Sequence, residues 1–143
     1  MNHFSFQSQS DALEVHGTRW QVEKPKAIVV ISHGMAEHIG RYARFAQALN
    51  DVHFDVWGID HRAHGRTLGP QGFGDFGDGG WDGLVSDLDQ LVDLVAVSAA
   101  TTGQPIILFS HSMGAAAAQH FVQRSSAKID MLILSGTTAR KPE

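Results

Sequence analysis

The residue that could carry covalent chemistry is a serine placed directly after an apolar, β-branched run. The run 106–109 leads into Ser-His-Ser-Met-Gly at positions 110–114, and an alanine-rich helical segment follows. A strand, a tight turn holding a serine and then a helix form the context of the motif G-x-S-x-G, whose flanking positions must be small because the turn brings them together. This context predicts Ser112 as a nucleophile for acyl transfer. The alternative is a core strand followed by a helix that serines merely cap.

Acyl transfer at a serine also needs N–H donors for the oxyanion that develops. The amide of Met113 opens the helix after Ser112, where the helix N-terminus favours negative charge. A second donor is expected from the loop after an earlier strand, and His33-Gly34-Met35 follows the apolar run 27–32. Gly34 would let the backbone turn beneath the serine, so we expect the Met35 amide to face it. The alternative for this segment is an ordinary strand-ending turn.

Alternating apolar runs and helical stripes must position these residues. We predict strands at 3–7, 14–22, 27–32, 54–59, 106–109 and 129–134, and helices over 42–50, from an N-cap at Asp82 to about 100, and over 114–124. Leucines and a valine at 84, 88, 91 and 95 make one apolar stripe. The order β-α-β-α-β-α-β from residue 27 implies an α/β fold with flanking helices and a mainly parallel sheet, with the first two strands antiparallel at its edge.

Four ordered segments, at 33–38, 40–42, 60–65 and 111–114, resemble monoacylglycerol lipases and lysophospholipases of the α/β-hydrolase superfamily. The resemblance implies the α/β-hydrolase fold, with Ser112 matching the nucleophile and Met35 and Met113 matching the residues that give oxyanion amides. It assigns 60–65 to a structural loop near the active site. Ser110, Ala63 and Ala115 depart from the family pattern, since each replaces a glycine.

A base and an acid for the serine are not found at the expected positions. In α/β-hydrolases the order is Ser, then Asp or Glu, then His. Asp130 precedes its strand and so should lie at the wrong edge of the sheet, while His120 lies about 12 Å along the helix axis from the serine. We therefore expect residues 1–143 to be the N-terminal part of a single domain, truncated after about the sixth strand. The cap and the catalytic Asp and His would be absent, leaving the isolated chain inactive and poorly folded.

Composition excludes several partners and sites. The 143 residues carry a net charge of −4 without a basic stripe, which argues against nucleic acid, and the absence of cysteine excludes disulfides and thiolate metal sites. No segment approaches the ~20 apolar residues of a spanning helix, and the first residues lack a signal-peptide pattern. We therefore expect a soluble cytoplasmic protein that needs no cofactor.

Two further patterns are weaker. Residues 72–77 spell G-x-G-x-x-G, but a dinucleotide fingerprint must directly follow a strand, whereas this one lies in the middle of a loop. His61 and His64 lack a third ligand at a recognisable metal-site spacing. Both patterns are typical of loops with solvated or hydrogen-bonded side chains.

The hypothesis from the sequence is a serine hydrolase of carboxylic esters that forms an acyl-enzyme on Ser112. Its substrate would be a monoacylglycerol or a lysophospholipid, and peripheral membrane contact and oligomeric state stay open. The sequence does not exclude an acyltransferase or a peptidase on the same fold, because fold alone does not set the substrate. The alternative from another class is a non-catalytic fragment or degenerate paralogue with a structural or binding role.

Overall fold

A computed structural model describes residues 1–137 of the chain, which form a single six-stranded sheet with helices on its faces. The strands are β1 (Asn2–Gln7), β2 (Glu14–Trp20), β3 (Ala27–Ser32), β4 (Phe54–Ile59), β5 (Ile106–His111) and β6 (Met131–Ser135). The helices are α1 (Ala43–Asp51), α2 (Gly80–Thr102) and α3 (Met113–Ser125), with short 3-10 helices at Ile39–Tyr42 and Ser126–Lys128.

The strand order is β1-β2-β4-β3-β5-β6. β3 pairs in parallel with β4 and β5, and β5 pairs in parallel with β6, whereas β1, β2 and β4 are joined by antiparallel pairing. This confirms the predicted α/β sheet with an antiparallel hairpin at its edge. α1 connects β3 to β4, which lies on one side of β3 in the sheet. α2 then connects β4 to β5, which lies on the other side of β3. A crevice therefore opens at the carboxyl ends of β3 and β5, the place where such sheets bind ligands.

Several element boundaries differ from the prediction. Asp82 is not the N-cap of α2: the helix begins at Gly80 after Gly79, and Asp82 lies in its first turn, where a carboxylate still complements the helix dipole. β2 ends at Trp20 rather than at 22, because the Val22 amide donates to the Asp55 carboxylate (3.0 Å) instead of to a neighbouring strand.

The core lies on both faces of the sheet. All six residues of β3 are buried, as predicted for a strand covered on both sides. The predicted stripe on α2 is confirmed, since its members Leu84, Leu88, Leu91 and Val95 are fully buried against one face. A smaller cluster on the opposite face contains Trp20, Val29, Ile31, Ile39, Ala46 and Val56. Within the described range, none of the helices combines the length and apolarity that a bilayer crossing requires.

One face of the β5–β6 edge stays open among the described residues. Met131 pairs with Ile107 and Ile133 pairs with Phe109, so these four apolar side chains share a face. Met131 is 54% exposed and Ile133 is 40% exposed. A parallel sheet is normally covered on both faces, so this edge is less well packed than the centre of the sheet.

A buried guanidinium ties the long loop after β4 to the rest of the molecule. The Arg62 side chain is fully buried; its Nε donates to Asp87 of α2 (2.9 Å) and its Nη1 donates to Asp11 (2.8 Å). Nη1 also donates to the Phe76 carbonyl (3.1 Å) and Nη2 to the Ser8 hydroxyl (3.0 Å). The hydrogen bond from Arg62 lowers the pKa of Asp11. The loop is thereby fastened both to α2 and to the β1–β2 turn.

Removing one partner of this buried pair should be costly. Asp87→Ala removes the fully buried carboxylate of Arg62 and leaves the guanidinium only the partly exposed Asp11, so we expect the free energy of unfolding to fall by about 3 kcal/mol, at the lower end of the cost of breaking a buried pair. Arg124→Ala is the matched control, because the Arg124–Asp82 pair (3.1 Å) is exposed to solvent and should contribute less than about 1 kcal/mol. Urea unfolding followed by circular dichroism measures both, and equal effects would contradict the role given to the buried pair.

Candidate active site

Ser112 occupies a sharp turn between β5 and α3. Its backbone has φ 51° and ψ −116°, outside the regions that non-glycine residues usually adopt, and its side chain is exposed. The Ser112 amide donates to the Ser135 carbonyl of β6 (2.9 Å), and the Ser112 carbonyl accepts from the amides of Ala115 (2.9 Å) and Ala116 (3.1 Å). The strained conformation is therefore held from both sides, by β6 and by the first turn of α3.

The residues two before and two after Ser112 are accommodated differently. A Cβ at Gly114 would overlap the carbonyl oxygens of Ser32 and His33, so this position admits only glycine. Ser110 is fully buried, and its hydroxyl donates to the Ile133 carbonyl of β6 (2.9 Å). The larger residue at position 110 is thus tolerated because its polar group has an acceptor.

The structure brings the two predicted segments together. A Cβ built on Gly34 would lie 3.2 Å from the Cβ of Ser112, so these backbones are nearly in contact. Met35 follows Gly34 in a turn, and Met113 is the first residue of α3. Among residues 1–137, neither of these two amides donates to a backbone acceptor. The Met113 amide next to Ser112 and the Met35 amide next to Gly34 are therefore without backbone acceptors in this part of the chain.

Two buried histidines form a frame beneath Ser112. His33 Nε2 accepts from the His61 amide (2.9 Å), so its proton is on Nδ1, which donates to the Gly34 carbonyl (2.7 Å). His61 Nε2 lies 2.9 Å from the Ser32 hydroxyl, which donates to the Gly114 carbonyl (3.1 Å). Burial lowers the pKa of His33 to about 4 and that of His61 well below its ordinary value. Both rings are therefore neutral near pH 7, and they link the two glycine turns.

The segment 60–65 packs beside this frame. The Asp60 carboxylate accepts from the Ile39 amide (2.8 Å) and from the amide (3.1 Å) and Nε (3.2 Å) of Arg66. Ala63 has φ 66°. His64 Nδ1 lies 3.0 Å from the Arg62 carbonyl. In the part of the chain that the structure describes, no group of three potential ligands is arranged to hold a metal ion.

Three other candidates from the sequence lie away from Ser112 or outside a recognisable context. The Asp130 carboxylate accepts from the Ile106 amide (2.8 Å), at the end of β5 opposite to Ser112. His120 Nδ1 accepts from Trp81 Nε1 (2.7 Å) on the exposed side of α3. The loop 72–77 follows no strand; Gly72, Gly74 and Gly77 have positive φ, and the side chain of Phe73 is 76% exposed.

Two cavities flank the turn that contains Gly34. One of about 440 Å³ is lined by Glu37, Arg41, Tyr42, Phe45, Phe109 and His111. The other, of about 500 Å³, has as its lining Met35, Ala36, Glu37, His38, Ala63, His64, Gly65, Phe73 and Gly74. Burial, and then the neighbouring Glu37, raises the pKa of Tyr42 to about 12, so its hydroxyl stays protonated. Each cavity combines apolar surface with a few polar groups, as small-molecule sites do.

Glu37 is among the residues of this site whose role the sequence did not indicate, as are Ser32, His33 and His61. Its carboxylate accepts from the Gly34 amide (2.8 Å), and the Tyr42 hydroxyl lies 3.5 Å from the same oxygen. An acidic residue three positions after the glycine of a strand-ending turn is the signal that could have indicated this contact.

Comparison with known proteins gives a consistent result. Residues 23–143 match the family described as serine aminopeptidase, S33. The chain is 34% identical over 113 residues to a monoacylglycerol lipase of Mycolicibacterium smegmatis, covering 78% of this chain and 38% of the relative. It is 33% identical over 121 residues to the monoglyceride lipase of Homo sapiens, covering 83% of this chain and 38% of that protein. The chain thus spans well under half the length of these curated relatives.

Solved structures agree on the fold. A thermostable carboxyl esterase from Bacillus coagulans superposes with a TM-score of 0.89 and 32% identity, covering 99% of this chain and 46% of the esterase. A soluble variant of monoglyceride lipase from Saccharomyces cerevisiae gives a TM-score of 0.79 at 19% identity, covering 93% and 43% of the two chains. The α/β-hydrolase fold expected from the sequence is confirmed.

The two alanines that replace family glycines should respond oppositely to glycine. Ala63 has a left-handed backbone that costs an L-residue roughly 1–2 kcal/mol, so Ala63→Gly should raise the free energy of unfolding by about 0.5 kcal/mol after the entropy that glycine adds to the unfolded chain. Ala115 lies inside α3, where Ala115→Gly should lower it by about 1 kcal/mol. Chemical denaturation measures both, and a loss of stability in both variants would contradict the strain at Ala63.

The buried His33 ring should make stability depend on pH. Burial lowers its pKa from an ordinary 6.5 to about 4 in the folded chain. As the pH falls from 6.5 to 4, His33 therefore becomes protonated in the unfolded state but stays neutral in the folded state, which favours unfolding. We expect His33 alone to lower the free energy of unfolding by up to about 3 kcal/mol between pH 6.5 and 4. His33→Asn should flatten the slope measured by urea unfolding, whereas His53→Asn, at an exposed site, should leave it unchanged. Identical slopes in the two variants would disprove the assignment.

Proposed function

Because the chain belongs to the serine aminopeptidase, S33 family of the α/β-hydrolase fold, we propose that it carries the nucleophile of a serine hydrolase of carboxylic esters. The observation that carries the proposal is the backbone of Ser112. A φ of 51° between β5 and α3 presents an exposed side chain at the carboxyl edge of the sheet, with Gly34 beside it. This is the placement that a nucleophile elbow requires.

In the proposed reaction, Ser112 Oγ attacks the ester carbonyl carbon while a base takes the hydroxyl proton. The amides of Met35 and Met113 donate to the resulting oxyanion, and the helix N-terminus at Met113 adds to the stabilisation. The bond to the alcohol then breaks and the alcohol takes up the proton. Water, deprotonated by the same base, hydrolyses the acyl-enzyme and frees Ser112.

The base is proposed to come from polypeptide other than residues 1–143. His33 and His61 are buried and hydrogen-bonded beneath the serine, and His120 is bound to Trp81 on α3. The order Ser, Asp or Glu, then His of this fold supports the same proposal. The chain alone is therefore proposed to have little turnover, because an unassisted serine hydroxyl is a weak nucleophile.

The proposed substrate is a monoacylglycerol or a lysophospholipid. The names of the relatives, which are monoglyceride lipases, and the esterase among the solved structures support a lipid ester. The exposed side chains of Met35 and Phe73 line one of the two cavities and would suit an apolar substrate. Peripheral contact with a lipid surface belongs to the same proposal. Faster hydrolysis of monoacylglycerol in vesicles than of a short soluble ester, by a longer form of the protein that carries the base, would support it.

A phosphonate probe tests the nucleophile on the chain itself. Added imidazole can take the Ser112 proton as the Oγ–P bond forms and fluoride leaves a fluorophosphonate. We expect mass spectrometry to find the adduct on Ser112 at a rate that rises with imidazole concentration. Ser112→Ala should abolish it, whereas Ser126→Ala, at an exposed serine of the following 3-10 helix, should label like the wild type.

The opposite outcome would favour the other function. A folded chain that gives no adduct at Ser112 at any imidazole concentration would contradict the nucleophile and support a non-catalytic binding or structural role. The family name also includes a peptidase activity. Comparing monoacylglycerol with an aminoacyl anilide, in a longer form of the protein that carries the base, separates ester from amide hydrolysis.

A further inference from the structure

Gly34 is held at both of its backbone groups by neighbouring side chains. Its amide donates to Glu37 Oε2 (2.8 Å), and its carbonyl accepts from His33 Nδ1 (2.7 Å). His33 is fully buried, and its other nitrogen is occupied by the His61 amide, so the ring cannot turn without breaking a second hydrogen bond. Gly34 is therefore fixed in one orientation beside Ser112.

The fixed orientation of Gly34 determines where the next amide points. In a trans peptide the carbonyl of one residue and the N–H of the next point in opposite directions. Because the Gly34 carbonyl points at the buried His33 ring, the Met35 N–H points away from that ring. Rotating this peptide would break the hydrogen bond to His33.

The turn that contains Met35 does not close through a relaxed backbone. Ala36 has φ 60°, a left-handed conformation that an alanine adopts only under constraint. The side chain of Glu37 reaches back three residues to the Gly34 amide and closes the turn across Met35 and Ala36. Without this contact, the turn can relax at Ala36 and carry the Met35 amide with it.

We propose that Glu37 is a positioning residue that holds the Met35 amide toward Ser112 by accepting the hydrogen bond of the Gly34 amide. This rests on the proposed function, in which that amide stabilises the oxyanion. What matters is the acceptor and not the charge, because a carboxylate close to the oxyanion site would oppose the negative charge that develops there. The negative charge of Glu37 is directed instead at the Gly34 amide and the Tyr42 hydroxyl.

Two variants at one position separate the acceptor from the charge. Glu37→Gln keeps a side-chain oxygen that can accept from the Gly34 amide, whereas Glu37→Ala removes it. With imidazole and the fluorophosphonate probe, we expect Ser112 to be labelled roughly tenfold more slowly, or slower still, in Glu37→Ala than in the wild type. Removing one oxyanion donor outright lowers kcat by ~10²–10³. Glu37→Gln should label at least as fast as the wild type. Glu23→Ala, at an exposed glutamate before β3, is the control and should change nothing.

A second measurement does not depend on the chemistry. In ¹⁵N-labelled chain, Glu37→Ala should lose hydrogen-exchange protection at the Gly34 amide and shift the Met35 resonance, and Glu37→Gln should restore both. Unchanged protection in Glu37→Ala overturns the proposal, as does equal labelling of all variants or a loss in Glu37→Gln as large as in Glu37→Ala. If the wild type itself does not label, the proposed function fails and with it the purpose assigned to Glu37. A changed Gly34 amide would then show only a turn-closing contact.

Discussion

The conformation of Ser112 is the constraint on which the rest of the site depends. A non-glycine residue at φ 51° is strained, and such strain persists only where surrounding contacts over-determine it. Here the contacts come from three elements. A carbonyl of β6 accepts the hydrogen bond of the Ser112 amide, amides of α3 donate to the Ser112 carbonyl, and Gly114 lies against the end of β3. The close approach at Gly114 explains why the turn can be this sharp. It also explains why Gly34 lies against Ser112.

The side chains that connect the two glycine turns, His33, His61 and Ser32, do so through uncharged groups. The chain Gly34–His33–His61–Ser32–Gly114 runs by hydrogen bonds from one glycine turn to the other. Because burial keeps both rings neutral at physiological pH, the frame avoids the cost of an unpaired buried cation. A buried charge is found instead at Arg62, where two carboxylates compensate it and the long loop after β4 is fastened.

The sequence was informative where periodicity or local context decides structure. The buried run of β3 and the stripe on α2 follow from residue type and spacing, and the strand–turn–helix context predicts where Ser112 lies. The Arg62 contacts could not be predicted, because Asp11 and Asp87 are 51 and 25 residues away in the chain and only the folded sheet brings them together. The left-handed backbone of Ala63 and the N-cap at Gly79 depend on the same loop packing, which overrides local preference.

Presenting a serine and removing its proton are physically separable tasks, and the contacts described here bear on the first of them. The contacts that fix the Ser112 backbone come from β6, from α3 and from the end of β3 with the loop that follows it, all within the described residues. In that frame the His33 ring is bonded to two backbone groups and the His61 ring to the Ser32 hydroxyl, and their lowered pKa values suit a structural role better than proton transfer. The packing of the sheet also differs from centre to edge. The central strand β3 is fully buried, whereas Met131 and Ile133 at the edge beyond β5 expose apolar surface. The geometry of the serine turn is therefore a property of this chain, and it depends on hydrogen bonds and close packing rather than on a proton acceptor for Ser112.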